Sequence, residues 1–160
     1  MEIDLDIFRA FVDQNQPPEA INQANAIIQE NIANPQLALF ILNVYQTPEV
    51  QNDQIITHAM TLILFRIIDY VWTNLYPKEL EQYDTNAFSQ IREGIIPVCL
   101  NISPDFQPVI IESICKIIRQ ESYDSEDLVI NACSLINPQQ DFHIISIVFQ
   151  ILESYSDVVK

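Results

Sequence analysis

The chain has one glycine, Gly94, and nine prolines in 160 residues, which leaves little room for a β-sheet. Tight hairpins draw on glycine for positive φ, and a sheet protein of this size needs several such turns. Apolar residues instead recur at spacings of three and four almost throughout, and the breaks between these runs nearly all carry a proline. Asn15-Gln16-Pro17-Pro18, Asn34-Pro35, Thr47-Pro48, Ser103-Pro104 and Asn137-Pro138 each place a capping side chain ahead of a proline suited to a first helical turn. Tyr76-Pro77 reads as a stop.

Between these marks the pattern predicts eight helices, at about 3–14, 18–33, 35–46, 49–75, 85–101, 105–120, 125–136 and 139–158. They group as pairs recurring about every 35 to 45 residues, a spacing found in HEAT and armadillo arrays. The expected fold is therefore all-α, an α-solenoid of about four HEAT-like hairpins in a single domain spanning 1–160, with repeats near 1–34, 35–77, 84–120 and 124–160. A closed helical bundle would use the same faces and short loops. The repeat period and Pro97, which falls inside an otherwise helical run, favour the solenoid.

Composition narrows the function classes. Hydrophobic residues make up 49% of the chain, well above a disordered segment. The formal net charge is -15, with only seven Lys and Arg, so a nucleic-acid partner is not expected. An acidic surface instead favours basic protein segments. Cys99, Cys115 and Cys133 are odd in number, lie in apolar runs and lack CxxC pairing, as expected of reduced, packed thiols in a cytoplasmic or nuclear protein. The acidic start Met1-Glu2-Ile3-Asp4 has no secretory pattern. The apolar stretch 55–72 is interrupted by His58, Arg66 and Asp69, so it reads as a buried helix and no membrane partner is expected.

Nothing in the chain assembles catalytic chemistry. His58 and His143 are far apart and neither sits at metal-ligand spacing from a Cys or carboxylate. One glycine cannot build a phosphate-binding loop. Glu121, Asp124, Glu126 and Asp127 lie in a Ser-rich stretch, where solvated acids capping a helix start at Ser125 are expected. The expectation is a non-enzyme with no catalytic residue, cofactor or metal. Trp72 is expected to close the second repeat by packing. If a solenoid stops at the last helix, apolar residues such as Ile147 and Ile151 would be left partly bare.

The long helix of the second repeat carries Ala59, Leu64, Ile68 and Trp72, followed by Tyr76-Pro77, a polar break, and a helix with Ile111 and Ile118 that ends near Tyr123. This pattern resembles the N-terminal domain of the importin-beta (karyopherin-beta) family of nuclear transport receptors, across most of the chain. It departs from the family pattern at Phe65-Arg66, where Lys-Asn is common, and at Ser122-Tyr123-Asp124, where an Asp-aromatic-Pro and a later Trp are frequent. The resemblance implies that the second helices of the first repeats line a surface for the small GTPase Ran in its GTP form. Basic protein cargo or nucleoporins would be further partners of a longer receptor.

Helical phase then selects the residues that would face such a surface. On the 49–75 helix, Ile55, Ile56, Ala59, Leu62, Ile63, Ile67 and Tyr70 are expected inside, leaving Gln54, His58, Thr61, Phe65 and Asp69 on another stripe. On the 105–120 helix the candidates are Glu112, Lys116 and Arg119, and on the first repeat Gln23 and Glu30. The rival reading is a helical scaffold that holds an assembly together without nucleotide dependence.

Overall fold

The computed structural model describes residues 4–76, 85–136 and 142–159 and, among them, contains helices and no strand. The helices are α1 (Leu5–Val12), α2 (Pro18–Asn31), α3 (Pro35–Val44), a single turn α4 (Pro48–Gln51), α5 (Gln54–Tyr70), α6 (Thr85–Asn101), α7 (Gln107–Glu121), α8 (Glu126–Ser134) and α9 (Phe142–Val158). The Asn137-Pro138 cap and the proline of Tyr76-Pro77 lie outside the described residues.

The predicted 49–75 helix is three pieces. Asp53 separates α4 from α5 because its carboxylate accepts the backbone N–H of Ile55 and of Ile56, at 3.0 and 3.1 Å, which ends one turn and caps the next. At the other end α5 passes into a π-helical turn, Val71–Leu75. Among the prolines, Asn34 caps α3 as expected, accepting from the Gln36 N–H at 3.0 Å with Pro35 behind it. Thr47 and Ser103 do not cap by their side chains: Thr47 donates back to the Val44 carbonyl, and α7 starts only at Gln107.

Packing arranges the helices in two rows. In one, α1 lies against α5, α5 against α7, and α7 against α9; in the other, α3 lies against α6 and α6 against α8. The sequence-adjacent pairs α3/α5, α6/α7 and α8/α9 join the rows, while α2 packs on α1. The first pair breaks the expected order. Its first helix, not its second, stands in the row of α5 and α7, where Phe8 is fully buried and stacks on Phe40 of α3 at 6.1 Å.

The core runs the length of the rows and is dominated by Ile and Leu, including Leu37, Ile41, Ile56, Ile63, Leu64, Ile67, Ile91, Ile95, Ile114 and Ile118. Ile147 and Ile151 belong to it too, against the expectation that they would be bare; the large apolar residues α9 leaves exposed are Phe142 and Phe149. Phase places them there, since they are seven residues apart on the face turned away from α7 and α8. The run Gln54–Leu75 is long and apolar enough to cross a membrane by length and composition, but here it is a core element packed by α1, α3 and α7. Pro97 does fall inside α6, where it has no N–H for the carbonyl of Glu93.

Candidate partner-binding face and its buried support

The accessible side of the α1–α5–α7–α9 row gathers part of the predicted stripe. Asp69 of α5 and Lys116 of α7 meet across the helix boundary with Nζ 2.6 Å from Oδ1. On α7 the Arg119 guanidinium donates to Glu112 at 2.9 Å, two turns back. Phe65 is half-buried beside them, and His58 is exposed but stacks on Phe106 at 5.7 Å. Next to Phe65, Arg66 lies 5.4 Å over the ring of Phe11, tying α5 to α1 by a cation–π contact. These pairs are solvent-exposed and stabilise the fold only slightly. They fix the charge pattern that the face presents.

Thr61 is not on that face. It is fully buried, its hydroxyl donating to the Thr57 carbonyl at 2.7 Å and bonded at 2.7 Å to the hydroxyl of Tyr45, the residue that caps the end of α3. A stripe drawn on α5 alone cannot show that α3 covers position 61. Ile55 and Tyr70, expected inside, are instead 44% and 40% exposed. Gln23 and Glu30 are exposed on α2, a helix removed from α5 because α1 intervenes, so they are not brought together with the rest. Gln54 is exposed at the start of α5 and lines a cleft between the connections at one end of the helices.

The cluster behind the face was missed by the sequence reading. Glu121, expected as a solvated acid, is only 4% exposed. Its Oε1 accepts the indole N–H of Trp72 at 2.8 Å, and its Oε2 lies 3.2 Å from Arg92 Nε, an ion pair without hydrogen-bond alignment. Arg92 also donates to the Asp124 carbonyl at 2.8 Å, and the Tyr76 hydroxyl donates to the Asp124 carboxylate at 3.3 Å. Burial pushes the Glu121 carboxyl above the usual carboxylate range, more than Trp72 and Arg92 pull it down. Burial likewise pushes the Tyr76 phenol up to about 12, helped by the charges of Glu121 and Asp124.

Local geometry shows how the cluster is held. Trp72 sits in the π-helical turn, fully buried, with its ring edge-on to Phe88 at 5.1 Å, the packing role expected of it. Glu121 ends α7, and Ser122 after it has φ of 53°, a left-handed conformation that costs energy for a non-glycine residue. The Ser122 N–H bonds to the Ile118 carbonyl, and Ser125 donates to the Ser122 carbonyl at 2.6 Å, so the turn is fixed from both sides. Ser125 therefore stabilises this turn rather than capping α8. Two residues signal such a site in the sequence: Trp72, whose N–H needs an acceptor when buried, and Arg92, at the middle of an apolar helix.

Among the described residues no group of three or more His, Cys, Asp or Glu could hold a metal ion. Cys99 and Cys115 are buried and Cys133 half-buried; burial pushes the Cys99 thiol up to about 12 and raises Cys115, which makes both poor nucleophiles. No known family model, curated protein or solved structure matches the chain.

Proposed function

We propose that the chain is a HEAT-like helical solenoid that works by binding proteins, as an N-terminal segment of a nuclear transport receptor of the importin-beta type acting in cytoplasm and nucleus. Its partner in this reading is the small GTPase Ran in its GTP form. In a longer receptor, binding of the GTPase would compete with or complete the binding of basic cargo.

The observation that carries the reading is the accessible stripe shared by α5 and α7, where Phe65, Asp69, Glu112, Lys116 and Arg119 lie on neighbouring helices with Lys116 bridged to Asp69. Behind it stands the Ala59, Leu64, Ile68 and Trp72 pattern, all four residues buried. The net charge of -15 adds attraction for basic patches on a partner and speeds their encounter. The decisive experiment is a pull-down of the chain with Ran loaded with GTP or GDP. Capture of the GTP form that Lys116→Glu weakens supports the reading; equal, negligible binding of both forms ends it.

The scaffold reading is favoured by a different observation. Phe142 and Phe149 stand 88% and 61% exposed on one face of α9, as an interface core would. A scaffold would bind its partner with no dependence on nucleotide and would lose it on Phe149→Ser.

A further inference from the structure

The connections of two successive helical pairs, α3 to α5 and α6 to α7, meet around a cleft of about 340 Å³. None of the residues lining it is charged, although the chain carries 22 Asp and Glu and 7 Lys and Arg. Its polar lining is mainly side-chain amide: Gln46, Gln51, Asn52, Gln54 and Asn101. Asn101 donates to the Pro97 carbonyl at 2.7 Å, which leaves its carbonyl oxygen available. Among the described residues, the amides of Gln46, Gln51, Asn52 and Gln54 bond to no other protein group. Ile102 and the ring of Phe106, both half-buried and the latter held by its stack on His58, supply apolar surface between them, with Val98 buried behind.

This chemistry defines an occupant. With no cation on the lining a phosphate or carboxylate finds no opposite charge, and with no carboxylate an ammonium group finds none either. A primary amide offers two donors and an acceptor, the complement of the C=O and N–H of a peptide unit. The volume is at the small end of the ~300–1,000 Å³ range of ligand sites, and a helix of ~10–12 Å diameter does not fit it. We infer that the cleft binds a short, uncharged, extended stretch of peptide, whose backbone is held by the ring of amides and one of whose apolar side chains lies on Ile102 and Phe106. The site is at one end of the helices, where these connections lie, apart from Lys116 and Phe65, and does not rest on the GTPase reading.

The test is a titration of the ¹⁵N-labelled full chain with N-acetyl-phenylalanine amide, a neutral probe with two peptide units and one ring, and in parallel with N-acetyl-glutamate amide. The expected result is saturable amide shifts confined to 46–57 and 98–106 with the neutral probe and none with the anionic one. Asn101→Leu with Gln54→Leu, both exposed positions that should leave the thermal melt unchanged, should weaken the neutral probe about tenfold, the effect of one or two net hydrogen bonds. No saturable shift at the cleft up to the solubility limit overturns the inference. So do equal responses to both probes, or an unchanged affinity in a folded double variant.

Discussion

The indole N–H of Trp72 donates a 2.8 Å hydrogen bond to Glu121, two residues 49 positions apart and both buried. Through this bond the π-helical end of α5 is tied to the end of α7, and through Arg92 the same carboxylate reaches α6. Trp72→Phe removes the donor and leaves a gap, so a buried carboxylate loses a partner inside a packed core. The expected cost is about 3 kcal/mol in a urea melt, composed of lost packing and an unsatisfied acceptor. A double-mutant cycle with Glu121→Leu, which removes the acceptor, should show coupling of about 1 kcal/mol or more; additive effects would mean that the two residues do not act together.

Glu121 and Asp53 should tilt the pH profile of stability in opposite senses. Glu121 has its carboxyl raised in the folded state by burial, so the folded chain holds that proton more tightly than the unfolded one. The stability it contributes is complete below the ordinary value of 4.5 and is lost as pH rises through the raised one. Glu121→Gln should therefore gain on the wild type as pH climbs above 4.5. Asp53 is lowered, first by its hydrogen bond from Arg9 at 2.7 Å and then by the α5 cap, so its contribution is present above 3.8 and lost as pH falls through the lowered value. Asp53→Asn should cost stability at neutral pH and lose that disadvantage in acid. Urea melts of the three proteins from pH 3 to 8 read both slopes.

The contrast shows what a linear reading can reach. The helical class was legible because prolines and three-to-four periodicity act within one or two turns; that α1 and not α2 stands beside α5 was not, because that contact joins distant stretches of sequence. Asp53 as a cap was hidden inside a continuous apolar pattern, and the break appears only when its carboxylate is seen on the Ile55 and Ile56 N–H groups. The stripe on α5 was half legible: His58, Phe65 and Asp69 are accessible, but Thr61 is sealed by Tyr45 at the end of α3, 16 positions away. Glu121 was misread because its neighbours in sequence are polar, whereas its surroundings in space are Trp72 and Arg92.

Thr61 offers a clean separation of structural from partner-binding roles. In Thr61→Val the shape is nearly kept, but the buried Tyr45 hydroxyl loses its hydrogen bond to Thr61, which should cost about 1–3 kcal/mol. Tyr45→Phe leaves Thr61 bonded to the Thr57 carbonyl and should cost less, near 1 kcal/mol. The double variant should recover part of the Thr61→Val loss. Partner affinity measured on folded Thr61→Val should stay that of the wild type, and a loss of affinity with an unchanged melt would place Thr61 on the binding face after all.

Gly94 lies in the interior of α6 at a negative φ, so its conformational freedom is not used there. It faces α3, where a Cβ added to it would meet Leu42 Cδ1 at 3.5 Å, an ordinary van der Waals contact. Glycine in a helix interior is less stable than alanine by about 0.5–1 kcal/mol, because it loses more backbone entropy on folding. Gly94→Ala should therefore stabilise the chain by close to that amount and raise Tm by about 1–4 °C. Gly94→Ile at the same place must push Leu42 aside and should lose about 1–3 kcal/mol. Thermal melts of the two variants decide the matter: a destabilised Gly94→Ala would mean that α3 and α6 pack too closely at Leu42 for even one methyl group.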